Sequence, residues 1–287
     1  MTQFNRTASL VVGRRGETAK VLSGLRISFN VTKTEGKDPN TAKIQVFNLS
    51  QESRNIIRKR QENDTLFVIL NAGYTDGDGE ELVFTGNVTT ISHQIIRPEV
   101  ITSIEASDGA NALFNTKLSL SHGAGVSADT ILLQILNAIP ISSNFQTLQY
   151  EDKSYANGFA FVGLAKDALT KVTKFMNLNW SIQNNEIRLI PFDGDDRTKV
   201  VRLSQQTGLV GSPERLTGST RKAQGLSKKD RPGWKFTSLL QPKINPTGKI
   251  VVQSREIPVD STFTVFSVTH TGDTHGEQWE TVTEVRE

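Results

Sequence analysis

The sequence predicts a mainly β protein with a smaller α+β part in its middle. Three observations predict it. Alternation of apolar and polar residues, the period of a half-buried strand, recurs in both outer thirds. Apolar residues at helical spacing dominate two stretches of the middle third. Of 287 residues, 36% are hydrophobic and 22% charged, a balance that fits folded units with modest cores. A chain of this length is expected to divide into two or three such units.

In "LRISFNV" (25–31), Leu25, Ile27, Phe29 and Val31 alternate with Arg26, Ser28 and Asn30. "TAKIQVFNL" (41–49) repeats the pattern with Ala42, Ile44 and Val46 against Lys43 and Gln45. "DTLFVILNAGY" (64–74) is a continuous apolar strand ended by Gly73, and "GEELVFTGNVTTISHQII" (79–96) and "EVITSIEASDG" (99–109) are two more, separated at Pro98. One helix interrupts them, "SQESRNIIRKRQ" (50–61), with Ser50 as N-cap, Glu52 in the first turn and Arg58, Lys59 and Arg60 in the last. That charge order suits the helix dipole, and the basic triplet reads as a solvated helix end.

After Gly109 the character changes. "SADTILLQILNAI" (127–139) predicts a helix capped by Ser127. "GFAFVGLAKDALTKVTKFM" (158–176) predicts an amphipathic helix, with Phe161, Leu164, Ala165, Ala168, Val172, Phe175 and Met176 on one face. "LNWSIQNNEIRLIP" (178–191) predicts a hairpin: Trp180 and Ile182 precede Asn184–Asn185, Ile187 and Leu189 follow, and Asn tolerates the positive φ of a two-residue turn. Strands return in "KFTSLLQP" (235–242), "KIVVQS" (249–254), "FTVFSVTH" (263–270) and "QWETVTEV" (278–285). The expected division is therefore 1–108 (β), 109–199 (small α+β) and 200–287 (β).

The chain also echoes itself. "TISHQIIRPEVITSIEAS" (90–107) and "SVTHTGDTHGEQWETVTEVR" (267–286) each carry a β-rich run ending in His, at His93 and His270, then a turn and a second alternating strand. Upstream of each lies a strand-forming segment with a Gly-containing end, "LFVILNAG" or "TGKIVVQS". The echo marks a duplicated β unit, or it reflects only the common use of Thr, Val and Ser in exposed strands.

Candidate chemistry is sparse. His270, Asp273, His275 and Glu277 place four potential metal ligands or acid–base groups in eight positions. Gly272 and Gly276 make the stretch a loop between the last two strands, and the His spacing is not the i, i+4 of zinc helices; a polar turn explains it. Asp193, Asp195 and Asp196 evoke a calcium loop, but Ser204 stands where its closing Glu belongs, so a charged linker fits better. Gly123 and Gly125 precede a capped helix whose N-terminus could take an anion, without the third Gly or Lys of a nucleotide loop. Glu80–Glu81 read as a solvated turn.

The loop "STRKAQGLSKKDRPGWK" (219–235) holds Arg221, Lys222, Lys228, Lys229, Arg231 and Lys235 against Asp230. It reads as solvated, with an excess charge able to steer toward phosphates or an acidic protein face. Net charge is only +3. The absence of cysteine excludes a disulfide framework, a Cys-ligated zinc and a thiol nucleophile. No Gly-x-Ser-x-Gly elbow or phosphate loop occurs, the N-terminus has no secretory signal pattern, and no apolar run approaches the roughly 20 residues of a membrane helix. No catalytic, cofactor-binding or metal-ligating residue is assigned, and Trp180, Trp234 and Trp279 sit in strand contexts that suggest packing.

The order "VFNLSQESRNII", "FVILNAGY", "LVFTGNV", "IEASDG" resembles the first tube-type barrel of the baseplate hub proteins of contractile-tailed bacteriophages. "AKDALTKVTKFMNLNWSIQNNEIRLIP" is similar to their helix–hairpin module. "GWKFTSLLQPKINPTGKIVVQS" with the C-terminal strands resembles their second barrel, with Pro242, Pro246, Gly248, His270, Gly272, Asp273 and Trp279 at the matching places. The basic loop 219–235 matches least well.

The resemblance implies two tail-tube-like β-barrel domains plus an inserted helix–hairpin module, and a non-enzymatic, cofactor-free virion protein of the tail baseplate, assembled in the host cytoplasm. It implies a homotrimeric ring of pseudo-sixfold symmetry, its edge strands set against the next subunit, that adapts the sixfold tail tube to the threefold central spike. The implied partners are the chain itself, a tail tube or tube-initiator protein, the spike, and tape-measure and baseplate wedge proteins, with no membrane and DNA only in passage. The alternatives are the hub of a phage-derived injection particle such as an R-type bacteriocin, or a tail-associated cell-wall hydrolase.

Overall fold

Two outer sets of strands share one antiparallel sheet, and a helix-bearing module lies between them in sequence. The computed structural model describes residues 5–14, 17–35, 38–58, 66–109, 113, 115–145, 148, 150–191, 200–218, 231–257 and 259–286. The first set comprises β1 (Arg6–Arg14), β2 (Lys20–Leu22), β3 (Ile27–Thr34), β4 (Thr41–Phe47), α1 (Gln51–Arg58), β5 (Leu66–Tyr74), β6 (Gly79–Ile96) and β7 (Glu99–Ser107). The middle module holds β8 (Lys117–His122), β9 (Val126–Ser127), α2 (Ala128–Ala138), β10 (Ser142–Ser143), β11 (Ser154–Tyr155), β12 (Phe159–Leu164), α3 (Ala165–Phe175), β13 (Leu178–Gln183) and β14 (Glu186–Pro191). The last set is β15 (Val201–Leu203), β16 (Leu209–Leu216), β17 (Gly233–Leu239), β18 (Lys249–Val252), β19 (Ser261–Asp273) and β20 (Trp279–Arg286).

The main sheet runs β16-β17-β20-β19-β3-β4-β7-β6-β5-β1-β2, with β18 beside the start of β19 and β15 parallel to β18. Alternation explains why these residues are strands: Ile27, Phe29 and Val31 of β3 and Ala42, Ile44 and Val46 of β4 are all buried, with exposed or half-buried residues between them. One cluster fills the first set, a second gathers α2, α3 and the β13–β14 hairpin, and a third lies within the last set. Leu240 and Trp279 of the last set belong to the first cluster.

The echo in the sequence is an echo in the sheet. The first set orders its strands β3-β4-β7-β6-β5-β1 and the last set β16-β17-β20-β19-β18-β15. His93 faces Thr102 across β6–β7, and His270 faces Thr281 across β19–β20. Each imidazole Nδ1 lies against its threonine hydroxyl, at 3.0 and 2.9 Å. A bulge interrupts both ladders at the same distance from the histidine, between Val88 and Thr90 and between Val265 and Ser267. One row further, Lys43 faces Glu105 and Lys235 faces Glu284.

Two expectations need correction. Phe159–Leu164 is strand β12, not helix, and α3 begins only at Ala165. The stretch pairs along its whole length with β8, from Phe159 opposite His122 to Leu164 opposite Lys117; aromatic and β-branched residues followed by Gly163 favour that ladder over a helical turn. At the other end of the chain, β19 continues through Thr271, Gly272 and Asp273, so His270 is inside the strand rather than at its end.

Candidate functional site

The four polar residues at 270–277 are separated by the fold. His270 is fully buried in β19. Thr281 Oγ1 accepts from the Gln241 N–H at 2.9 Å and shares a hydrogen bond with His270 Nδ1, also at 2.9 Å. Asp273 takes a two-nitrogen grip from Arg26, with Nη2 at 2.8 Å and Nε at 3.2 Å, and also accepts from the His275 N–H at 2.9 Å. Burial pushes the Asp273 carboxyl up, but the Arg26 and backbone donors outweigh it and hold it below the usual range. His275 and Glu277 are exposed on the turn. Among the described residues, no three His, Cys, Asp or Glu stand where they could hold one metal ion.

The other candidates are scattered too. Glu80 and Glu81 lie on β6, not in a turn: Glu80 accepts from the hydroxyls of Thr7 and Ser9, and Glu81 pairs with Lys243 at 3.0 Å. The N-terminus of α2 already carries an anion from its own chain, since Asp152 accepts from the Ser127 hydroxyl at 2.7 Å and the Asp129 N–H at 3.2 Å. Asp193, Asp195 and Asp196, and Arg221, Lys222, Lys228, Lys229 and Asp230 of the basic loop, lie outside the described residues, as do Lys59 and Arg60. Trp180 and Trp279 are buried, and Trp234 lies beneath the Arg215 guanidinium.

What the chain does assemble is a buried polar junction where its three parts meet. Lys33 of β3 is fully buried and donates to Asn184 Oδ1 at 3.0 Å, in the turn of the β13–β14 hairpin, and to Asn245 Oδ1 at 2.8 Å, in the loop before β18. Asp108, just after β7, accepts from the Asn40 N–H at 2.8 Å, from Asn40 Nδ2 at 2.9 Å and from the Asn184 N–H at 3.1 Å. Asn40 Nδ2 also reaches the Ile182 carbonyl at 2.8 Å, and Gln183 Nε2 donates to the Thr34 carbonyl at 3.1 Å. Positive φ at Asn184 and Asn185 lets this turn point its amides inward. Burial pushes the Lys33 ammonium down to about 7, partly offset by the Asp108 charge, and pushes the Asp108 carboxyl up to about 6.

Beside the junction, the first and last sets are sewn edge to edge. β19 pairs with β3 from Ser267–Thr34 to Asp273–Ser28. Trp279 closes the seam, meeting Phe29 and Tyr74 edge-on at centroid distances of 5.6 and 6.4 Å. Gly272 makes that approach possible, because a Cβ there would stand 2.4 Å from Phe29 Cζ and 2.8 Å from Trp279 Cε3. Chemically, the arrangement fixes the relative orientation of two similar β units and of the module between them.

A test of the junction follows from His270. Burial, then the nearby Lys33 charge, pushes its imidazole down to about 3 from an ordinary 6.5. The unfolded chain therefore takes the proton first, so the stability that the neutral ring supplies is present above pH 6.5 and lost as pH falls from 6.5 toward 3. The loss is at most about 1.4 kcal/mol per pH unit. Asp108, raised toward 6, acts in the opposite sense, so the readout is a difference: in urea melts from pH 7 to pH 4, His270→Asn is expected to lose less stability than the unaltered chain.

A family model described as baseplate hub gp41 matches residues 8–272. The chain belongs to the baseplate hub gp41 family. A search of curated proteins returned no match. Solved structures share the fold. The tail protein of Neisseria meningitidis MC58 is 11% identical, with TM-score 0.64 over 99% of this chain and 97% of that one. The 43 kDa tail protein of prophage MuSo2 from Shewanella oneidensis is 11% identical, with TM-score 0.65 over 96% of both. The E. coli c3393 protein, a type VI secretion component described as structurally similar to T4 tail proteins gp27 and gp5, is 13% identical, with TM-score 0.60 over 96% of this chain and 76% of that one. This member of the hub family is mainly β and structural in kind, and it was the order of segments, not any catalytic residue, that pointed to it.

Proposed function

We infer that this hub protein works as a closed homotrimeric ring in the tail baseplate, adapting a sixfold tail tube on one side to a threefold spike on the other. Residues 1–108 and 200–287 are the two tube-like barrels and 109–199 the inserted module. The observation that carries this reading is the β3–β19 seam. It sets two units of the same strand order side by side in one sheet, so three copies would present six similar units to the tube and three inserted modules elsewhere. The partners on this reading are the tube or tube-initiator protein, the spike, and tape-measure and wedge proteins, and the work is geometric, without catalysis. Edge strands covered by the next copy would leave no open sheet.

Electron microscopy of the protein purified with its spike tests the reading. The expected class averages show a ring of six β lobes with three peripheral projections. Open chains, or a single two-lobed particle beside the spike, would contradict it.

A further inference from the structure

On β19, residues 261–264 pair with β18, the Val265 N–H and carbonyl continue toward the strand's approach at Gly248 and Thr247, and residues 267–273 on that same side pair with β3. β20 occupies the opposite side. β6 stands where β19 stands in the repeated order. Its residues 79–87 pair with β5 and its residues 87–96 with β7, and Asn87 meets both. Beyond Asn87, the β5 side of β6 has no strand alongside it among the described residues. At the far end of the sheet, β16 stands where β3 stands and, among the described residues, is paired only with β17. β2, the other terminal strand, has no counterpart in the last set among the described residues.

We propose that β16 of a second copy of this chain pairs antiparallel with the open half of β6, in the register that β3 adopts on β19. This rests on the ring reading above and names its interface.

The register follows from two rows of the sheet. The row Thr90–Glu105–Lys43–Asn30 matches Ser267–Glu284–Lys235–Glu214, which makes Glu214 the counterpart of Asn30. The row His93–Thr102–Val46–Ile27 matches His270–Thr281–Ser238–Leu209, which makes Val210 the counterpart of Ser28. Transferring Thr271–Asn30 and Asp273–Ser28 then sets Gln94 opposite Glu214, and Ile96 opposite Val210, of the second copy.

The chemistry fits. Asn30 Nδ2 donates to Thr271 Oγ1 at 3.1 Å in the internal seam, and the Gln94 amide has the same reach to the Glu214 carboxylate, whose side chain is 65% exposed. Ile96 and Val210 are 52% and 47% exposed in the single chain, and in this register they cover each other. Pro213, which lacks an N–H, falls within the irregularity of β16 between Val210 and Glu214, where it interrupts no ladder bond with β17.

The chain has no cysteine, so paired cysteines report the joint directly. The Glu35 N–H donates to the Phe266 carbonyl at 2.8 Å, which makes Thr271–Asn30 and Thr269–Thr32 non-hydrogen-bonded pairs, the kind whose side chains lie closest. Gln94→Cys with Glu214→Cys, and separately Ser92→Cys with Leu216→Cys, should cross-link copies under mild oxidation. The expected result is a reducible ladder on denaturing gels for both pairs, none for the single variants and none for Gln94→Cys with Val21→Cys. Light scattering on each variant reports the assembly itself. A multimer of unchanged mass without cross-links in either pair, or with cross-links through Val21 instead, overturns this joint and leaves the ring. A monomer overturns the ring and the joint together.

Discussion

Asp108→Ala is expected to destabilise the protein by about 3–5 kcal/mol, as removal of one member of a buried charged network does. The carboxylate accepts from Asn40 Nδ2, which keeps the Ile182 carbonyl and Gln183 Oε1 as further acceptors, and from the backbone N–H groups of Asn40 and Asn184, which have no water to turn to at a site where Asp108 and Asn40 are both buried. Leaving a buried donor unmet costs about 1–3 kcal/mol each, less what relaxation recovers. Because Asp108 ties β4 to the β13–β14 hairpin, the loss falls between parts of the chain rather than inside one core. Urea unfolding by fluorescence and circular dichroism measures it. Asp108→Asn keeps an acceptor and should cost well under half as much; equal losses for the two variants would mean that volume, not hydrogen bonding, holds the junction.

Trp279→Ala is expected to cost a further independent amount of about 3–5 kcal/mol, the usual range for deleting a buried large aromatic. The indole is 3% exposed and sits in the core of the first set although it belongs to β20. Its ring contacts with Phe29 and Tyr74 of the first set hold the last set against the first. The loss should therefore appear as uncoupling: protease cleavage in the Gln241–Gly248 connection accelerates in the variant while the middle module stays resistant. A loss below about 1 kcal/mol, far under that of a filled core position, would show that the seam is held by the β3–β19 ladder alone.

Most strands were legible because their period is local. Ile27, Phe29 and Val31 announce the buried face of β3 from sequence, and the same count carried two residues further lands on Lys33, which the strand does bury. Periodicity alone held that signal, against the usual exposure of lysine. Lys33's partners were not legible, since Asn184 and Asn245 lie 151 and 212 residues away. Asn40 and Asp108 look like loop residues until β7 returns beside β4 and brings them together. The His93 and His270 echo was readable in residues but ambiguous; the shared bulge and threonine partner turn it into a repeat of geometry. Phe161 misled because i, i+3, i+4 spacing with Leu164 and Ala165 fits a helix, and only the ladder with β8, far earlier in the chain, decides otherwise.

The mass of the purified protein by light scattering, alone and with its spike protein, tests the central claim most directly. A species of three times 31.7 kDa, alone or as three copies per complex, is the predicted result. A chain that stays at 31.7 kDa at high concentration and with the spike present would contradict it.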